Sequence, residues 1–102
     1  AAPPMYKLAA WLAEQGRYGE SLEEYQKITK RDKRATIAYE GQLYVMVHLM
    51  GMAGTPAAQK LWEAARKKVP PEDVPHLDWF YEQLHAGNHE VCAHPPRVEE
   101  NK

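Results

Sequence analysis

Gly16 breaks one amphipathic segment, and Tyr18, Ser21, Leu22 and Tyr25 follow it at intervals of three, four and seven. That spacing places all four side chains on one face of a new helix. Ser21 is small among larger neighbours, so a second helix can approach closely there. A weaker copy follows Gly54, with Ala58, Leu61, Trp62 and Ala65, and a truncated one begins at Gly87. A chain punctuated in this way is expected to fold as stacked helical hairpins.

The 102 residues suffice for one small domain with a single core. With 44% hydrophobic and 26% charged residues the composition is that of a globular protein rather than a disordered or membrane-spanning one. The longest apolar run, Leu43 to Val47, is far too short to cross a bilayer. A formal net charge of −1 supplies no overall field for nucleic acid or acidic lipid. Cys92 is the lone cysteine, which excludes an intrachain disulfide and favours a reducing, intracellular compartment, mitochondrial or cytoplasmic. A first residue of Ala1 rather than Met implies either a removed leader or an excised fragment.

Five helices are expected. Pro3 and Pro4 suit a first turn, where a missing N–H costs little. Met5, Leu8, Ala9 and Leu12 then form an apolar stripe, and Tyr6, Ala10 and Ala13 form a milder one beside it. A second helix is expected from about Gly19 to Lys30. It ends in the basic cluster Lys27, Lys30, Arg31, Lys33 and Arg34, which a helix C-terminus favours on electrostatic grounds alone. The segment from Ala35 to Met50 is the most apolar and reads as one buried, central helix, with Met46 and Met50, like Met52 just after it, as core filler. Thr55 and Pro56 read as the N-cap and first residue of a fourth helix, which runs to Lys68. Pro70, Pro71 and Pro75 exclude helix between about Val69 and Val74. A fifth helix from Pro75 to Ala86 carries Leu77, Phe80, Tyr81 and Leu84 on one face and stops at Gly87. The expected boundaries are a helical repeat domain over 1–92 and a polar, extended tail over 93–102.

The three glycine turns also give a period, 38 residues from Gly16 to Gly54 and 33 from Gly54 to Gly87. Helix-turn-helix units of about 34 residues characterise tetratricopeptide-type solenoids. The first unit resembles that family at Leu8 and Ala9, Gly16 and Tyr18, and Ser21, Leu22, Tyr25 and Ile28; the second resembles it at Ala58, Trp62, Ala65 and Pro70. The turns Gly51-Met52-Ala53-Gly54 and Leu84-His85-Ala86-Gly87 are also similar to those of pentatricopeptide repeats, the RNA-reading relatives. The resemblance implies an all-α fold of two and a half antiparallel helix-turn-helix repeats forming a short right-handed α-solenoid. It further implies a concave, partner-binding face made by the first helix of each pair. Carried over, that face comprises Tyr6, Lys7, Ala10 and Ala13, then Ile37, Glu40, Tyr44, Val47 and His48. The alternative for Tyr44 and Val47 is that they complete the core. Ala10 and Tyr44 stand where chaperone-tail clamps of the family carry an asparagine and basic residues, which argues against that activity.

Other chemistry has thinner support. His85, His89, Cys92 and His94 lie close together and are zinc-competent groups, but Gly87 and Asn88 interrupt the helix that would align the first two, and no cysteines pair. Loose surface histidines are the default, with no metal or cofactor expected. No phosphate-binding loop, carboxylate dyad or activated nucleophile stands out, so the chain does not read as an enzyme. The expected function is a non-catalytic protein-protein interaction module, an accessory or scaffold subunit of a larger assembly. The alternatives are a pentatricopeptide-like, organellar RNA binder and a zinc-stabilised regulatory domain. The fifth helix lacks a following partner, so Leu77, Trp79, Phe80 and Leu84 are expected at an uncapped end docked on another chain.

Overall fold

The computed structural model describes residues 4–87. The fold is all-helical, with five α-helices and no β-strand among the described residues: α1 (Pro4–Glu14), α2 (Tyr18–Arg31), α3 (Thr36–Leu43), α4 (Pro56–Lys68) and α5 (Val74–Ala86). The tail assigned to 93–102 lies outside the described residues. No described helix is long and apolar enough to cross a membrane.

Local chemistry accounts for the ends of the elements. Gly16 takes φ 78°, and the Gly16 and Arg17 N–H groups return to the carbonyls of Ala13 and Leu12, reversing the chain between α1 and α2. Thr55 caps α4, its hydroxyl accepting from the Ala58 N–H at 3.3 Å, and Pro56 occupies the first turn. Gly87, at φ 72°, ends α5.

The third helix departs from expectation. It is not one regular α-helix to Met50: after Leu43 the chain widens into a π-helical segment, Tyr44–Leu49. The Met50 N–H reaches the Val45 carbonyl, five residues back, and the Met52 N–H reaches that of Met46. The widened turn still buries Tyr44, Val45 and Val47, while Met50 is exposed rather than core filler. A second departure is a single 3-10 turn at Pro71–Asp73, within the stretch expected to be non-helical; it runs directly into α5.

The third helix is the centre of the packing: α2 and α4 flank α3, and α5 lies against both α3 and the π segment. Leu43, Val45 and Leu77 are among the most completely buried side chains. Ser21 is fully buried, and its hydroxyl donates to the Ala9 carbonyl at 2.6 Å, tying α2 to α1. On α1 the buried residues are Ala9, Leu12 and Ala13. Leu8, placed in the apolar stripe, faces outward instead, because α2 covers only one side of α1.

Two groups of polar contacts hold α5. Glu40, buried on α3, meets His76 Nδ1 at 2.7 Å, and the Thr36 hydroxyl donates to Asp73 at 2.6 Å. Across the α4–α5 seam, Asp78 accepts two bonds from Arg66 at 2.8 and 2.9 Å and one from Trp62 Nε1 at 2.8 Å. Trp62 stacks on Tyr81 with centroids 4.6 Å apart.

Ser21→Leu should overpack the α1–α2 crossing and abolish its hydrogen bond, and Ala58→Leu should overpack the buried start of α4. Each is expected to cost about 1–3 kcal/mol, read as a fall in the thermal midpoint. Parent-like melting of both variants would contradict this packing.

Candidate functional site

The described surface opens into a cavity of about 230 Å³ between α1, α2 and the π segment. It is lined by Ala10, Ala13 and Glu14 from α1, Tyr18 and Tyr25 from α2, and Tyr44 and Leu49 from the π segment. Small residues on α1 leave the space open, and phenol rings from the opposite side form much of its wall. Glu14 contributes a carboxylate at the exposed rim.

Tyr25 is the residue that organises it. Its ring lies over Gly41 on α3, where an added Cβ would come within 2.8 Å of Cδ1 and closer still to Cε1 and Cζ. On α1 its neighbour is Tyr6, with ring centroids 6.5 Å apart. Only 3% of Tyr25 is exposed. Burial above all, and then the nearby Tyr44 and Tyr6, push its phenol up to about 12. Burial, followed by Asp32, also raises Tyr6. Tyr25 stays neutral at physiological pH, and the formal charge of the lining resides on Glu14.

Of the residues assigned to a concave face, Ala10, Ala13 and Tyr44 come together here. Tyr6 lies half-buried beside Tyr25, and Lys7 is exposed further along α1. Ile37 is half-buried, Val47 belongs to the core, and Glu40 is turned to His76 on α5. His48 is exposed and packs on Tyr44 at 5.5 Å. Sequence reasoning misses Glu14 and Leu49 and reads Tyr18 and Tyr25 as helix packing alone, without their lining role. A usable signal for Glu14 was its place four residues after Ala10, on the same side of α1.

The second assigned surface is differently disposed. Leu77, Phe80 and Leu84 are buried in the core and form no outer patch, because the third helix as well as α4 packs on α5. Trp79 alone of that group is exposed, at 45%, beside His76 at 5.4 Å. Trp11 is similarly exposed on α1, at 48%.

Of the four metal candidates, His89, Cys92 and His94 lie outside the described residues. His85 has both ring nitrogens engaged: Nδ1 donates to the Tyr81 carbonyl at 2.9 Å, and Nε2 accepts the Gly54 N–H at 2.9 Å. Among the described residues no group of three or more His, Cys, Asp or Glu side chains is placed to hold a metal ion. The basic cluster at the end of α2 is exposed, with Lys27 paired to Glu24 at 2.9 Å.

Comparison with family models, curated proteins and solved structures gives no match. The chemistry of the cavity follows from its lining alone. Aromatic faces, phenol oxygens and one carboxylate can grip a side chain.

Tyr25 also gives a pH signature. A phenol raised in the folded state contributes stability that is present below pH 10 and lost as pH rises towards about 12, where the unfolded chain ionises first. The loss attributable to Tyr25 is about 2–3 kcal/mol across that window. Urea unfolding at pH 8, 10 and 12 should therefore show a flatter alkaline decline for Tyr25→Phe than for the parent. Parallel declines would place the Tyr25 hydroxyl in water.

Proposed function

We propose that this chain is a non-catalytic protein-interaction module, an accessory or scaffold subunit of a larger assembly. The observation that carries the reading is the tyrosine-walled cavity between α1, α2 and the third helix. It coincides with part of the surface that a tetratricopeptide-like arrangement would present to a partner. In this reading α1–α2 and the third helix with α4 are two hairpins of a short right-handed solenoid, and α5 begins a third. The hairpin turns at Gly16 and Gly54, both with positive φ, support that arrangement. So does the order of packing, in which α2 contacts α3 and α4 contacts α5.

Exposed aromatics support the assembly role. Trp11 and Leu8 lie three residues apart on one side of α1, and Trp79 stands on α5. Large exposed indoles are common interface anchors, and truncation of one commonly costs about 2 kcal/mol or more of binding. A soluble subunit that presents them gains by covering them with another chain.

The test is affinity capture from native lysate with the full chain. Ala10→Phe should fill the cavity and remove partners that dock in it, and Trp79→Ala should weaken assembly with little change in helicity. Neutralising Lys30, Arg31, Lys33 and Arg34 together should leave capture intact. Co-purification of RNA, lost on that neutralisation and steeply weakened by salt, would instead establish the nucleic-acid reading.

A further inference from the structure

The cavity is more selective than a general groove. Its volume of about 230 Å³ lies below the roughly 300–1,000 Å³ of pockets that enclose whole small ligands. One inserted side chain is the appropriate size. Three of the lining residues are tyrosines, whose ring faces carry negative electrostatic potential and attract cations.

Charge on the lining has one sign. Glu14 is its only ionisable carboxylate, and no lysine, arginine or histidine is part of it. Of the other carboxylates of this hairpin, Glu20 pairs with Arg17 and Glu24 with Lys27, while Glu23 is not part of the lining. Glu14 has no ion-pair partner among the described residues. A cation entering the cavity would meet a carboxylate that is still available and aromatic faces behind it. Phenol oxygens can accept its N–H bonds. An anion would be repelled by Glu14. An apolar side chain could pack on the rings and Leu49 but would leave that carboxylate without a partner.

We propose that the cavity receives the cationic side chain of a partner peptide, a lysine ammonium or an arginine guanidinium. The inference rests on the protein-binding reading above and names the chemistry of the ligand for the same site. Glu14 supplies the charge, while Tyr18, Tyr25 and Tyr44 supply the walls. A neutral phenol such as Tyr25 can both line an aromatic cage and accept a hydrogen bond.

The test uses a positional-scanning library of nonapeptides against the full chain at low salt. Retained peptides should carry lysine or arginine at one fixed position. Replacing that residue by norleucine in the best peptide should weaken its binding about tenfold. Glu14→Gln, an exposed substitution compatible with folding, should weaken the basic peptide about five- to tenfold and leave the norleucine peptide unchanged. Tyr18→Leu should act in the same direction. Peptides retained without a basic position, or a Glu14→Gln effect equal on both peptides, would overturn the cation pocket and leave the groove reading standing. Retention of no peptide by a folded chain would overturn both.

Discussion

The ring of Tyr25 occupies the space that any side chain at position 41 would need. This contact sets how closely α2 approaches the third helix, and much else follows from it. With the ring seated on Gly41, Tyr25 presents its other surroundings to Tyr6 on α1 and Tyr44 on the π segment. The same helix is fixed to α1 one turn earlier by Ser21, whose hydroxyl reaches the Ala9 carbonyl. Two small residues at two crossings thus hold α1, α2 and the third helix around one aromatic ring. The cavity is what remains where Ala10 and Ala13 provide too little volume to close that junction.

The other half of the molecule is held differently. There, polar pairs that each include a buried or half-buried member bind α5 to its neighbours, through Glu40 with His76, Thr36 with Asp73, and Asp78 with both Trp62 and Arg66. Such groups are costly to desolvate and contribute only when their partners are in place, so they define register more than they add stability. Their directionality suits a short helix whose apolar face, Leu77, Phe80 and Leu84, must meet both α4 and the third helix. The two halves differ accordingly. One is a close-packed aromatic junction with an open pocket, and the other is a hairpin locked by polar contacts.

Much of the helical plan was legible because it rests on local chemistry. Gly16 and Gly54 mark chain reversals and Gly87 a helix end through backbone freedom, and Thr55-Pro56 marks a helix start through capping. The tightness at Ser21 was legible for a similar reason, a small residue on an otherwise bulky face. What sequence could not convey depends on neighbours distant in the chain. Periodicity put Leu8 in the core stripe, but only the arrangement of α2 decides which side of α1 is covered. Glu40 was assigned to an open face because its partner, His76, lies 36 residues away. The π segment was hidden because Tyr44 to Leu49 is apolar at nearly every position, so a widened turn buries much the same residues as a regular one. Gly41 carried no signal at all: inside a helix it looks like a weak position, and its value appears only with the Tyr25 ring above it.

The dependence of this arrangement on one contact is open to a direct measurement, a double-mutant cycle between Gly41→Ala and Tyr25→Leu followed by denaturant unfolding. Alanine is the better helix former by roughly 0.8–1 kcal/mol, so in isolation the first substitution favours the folded chain. With the Tyr25 ring present, the added methyl collides with it, and a net loss of about 1–3 kcal/mol is expected. With leucine at position 25, the loss should shrink or reverse, leaving a coupling of about 1 kcal/mol or more between the two sites. If Gly41→Ala instead stabilises both backgrounds equally, the ring does not rest on Gly41, and the junction that forms the cavity is not built as described.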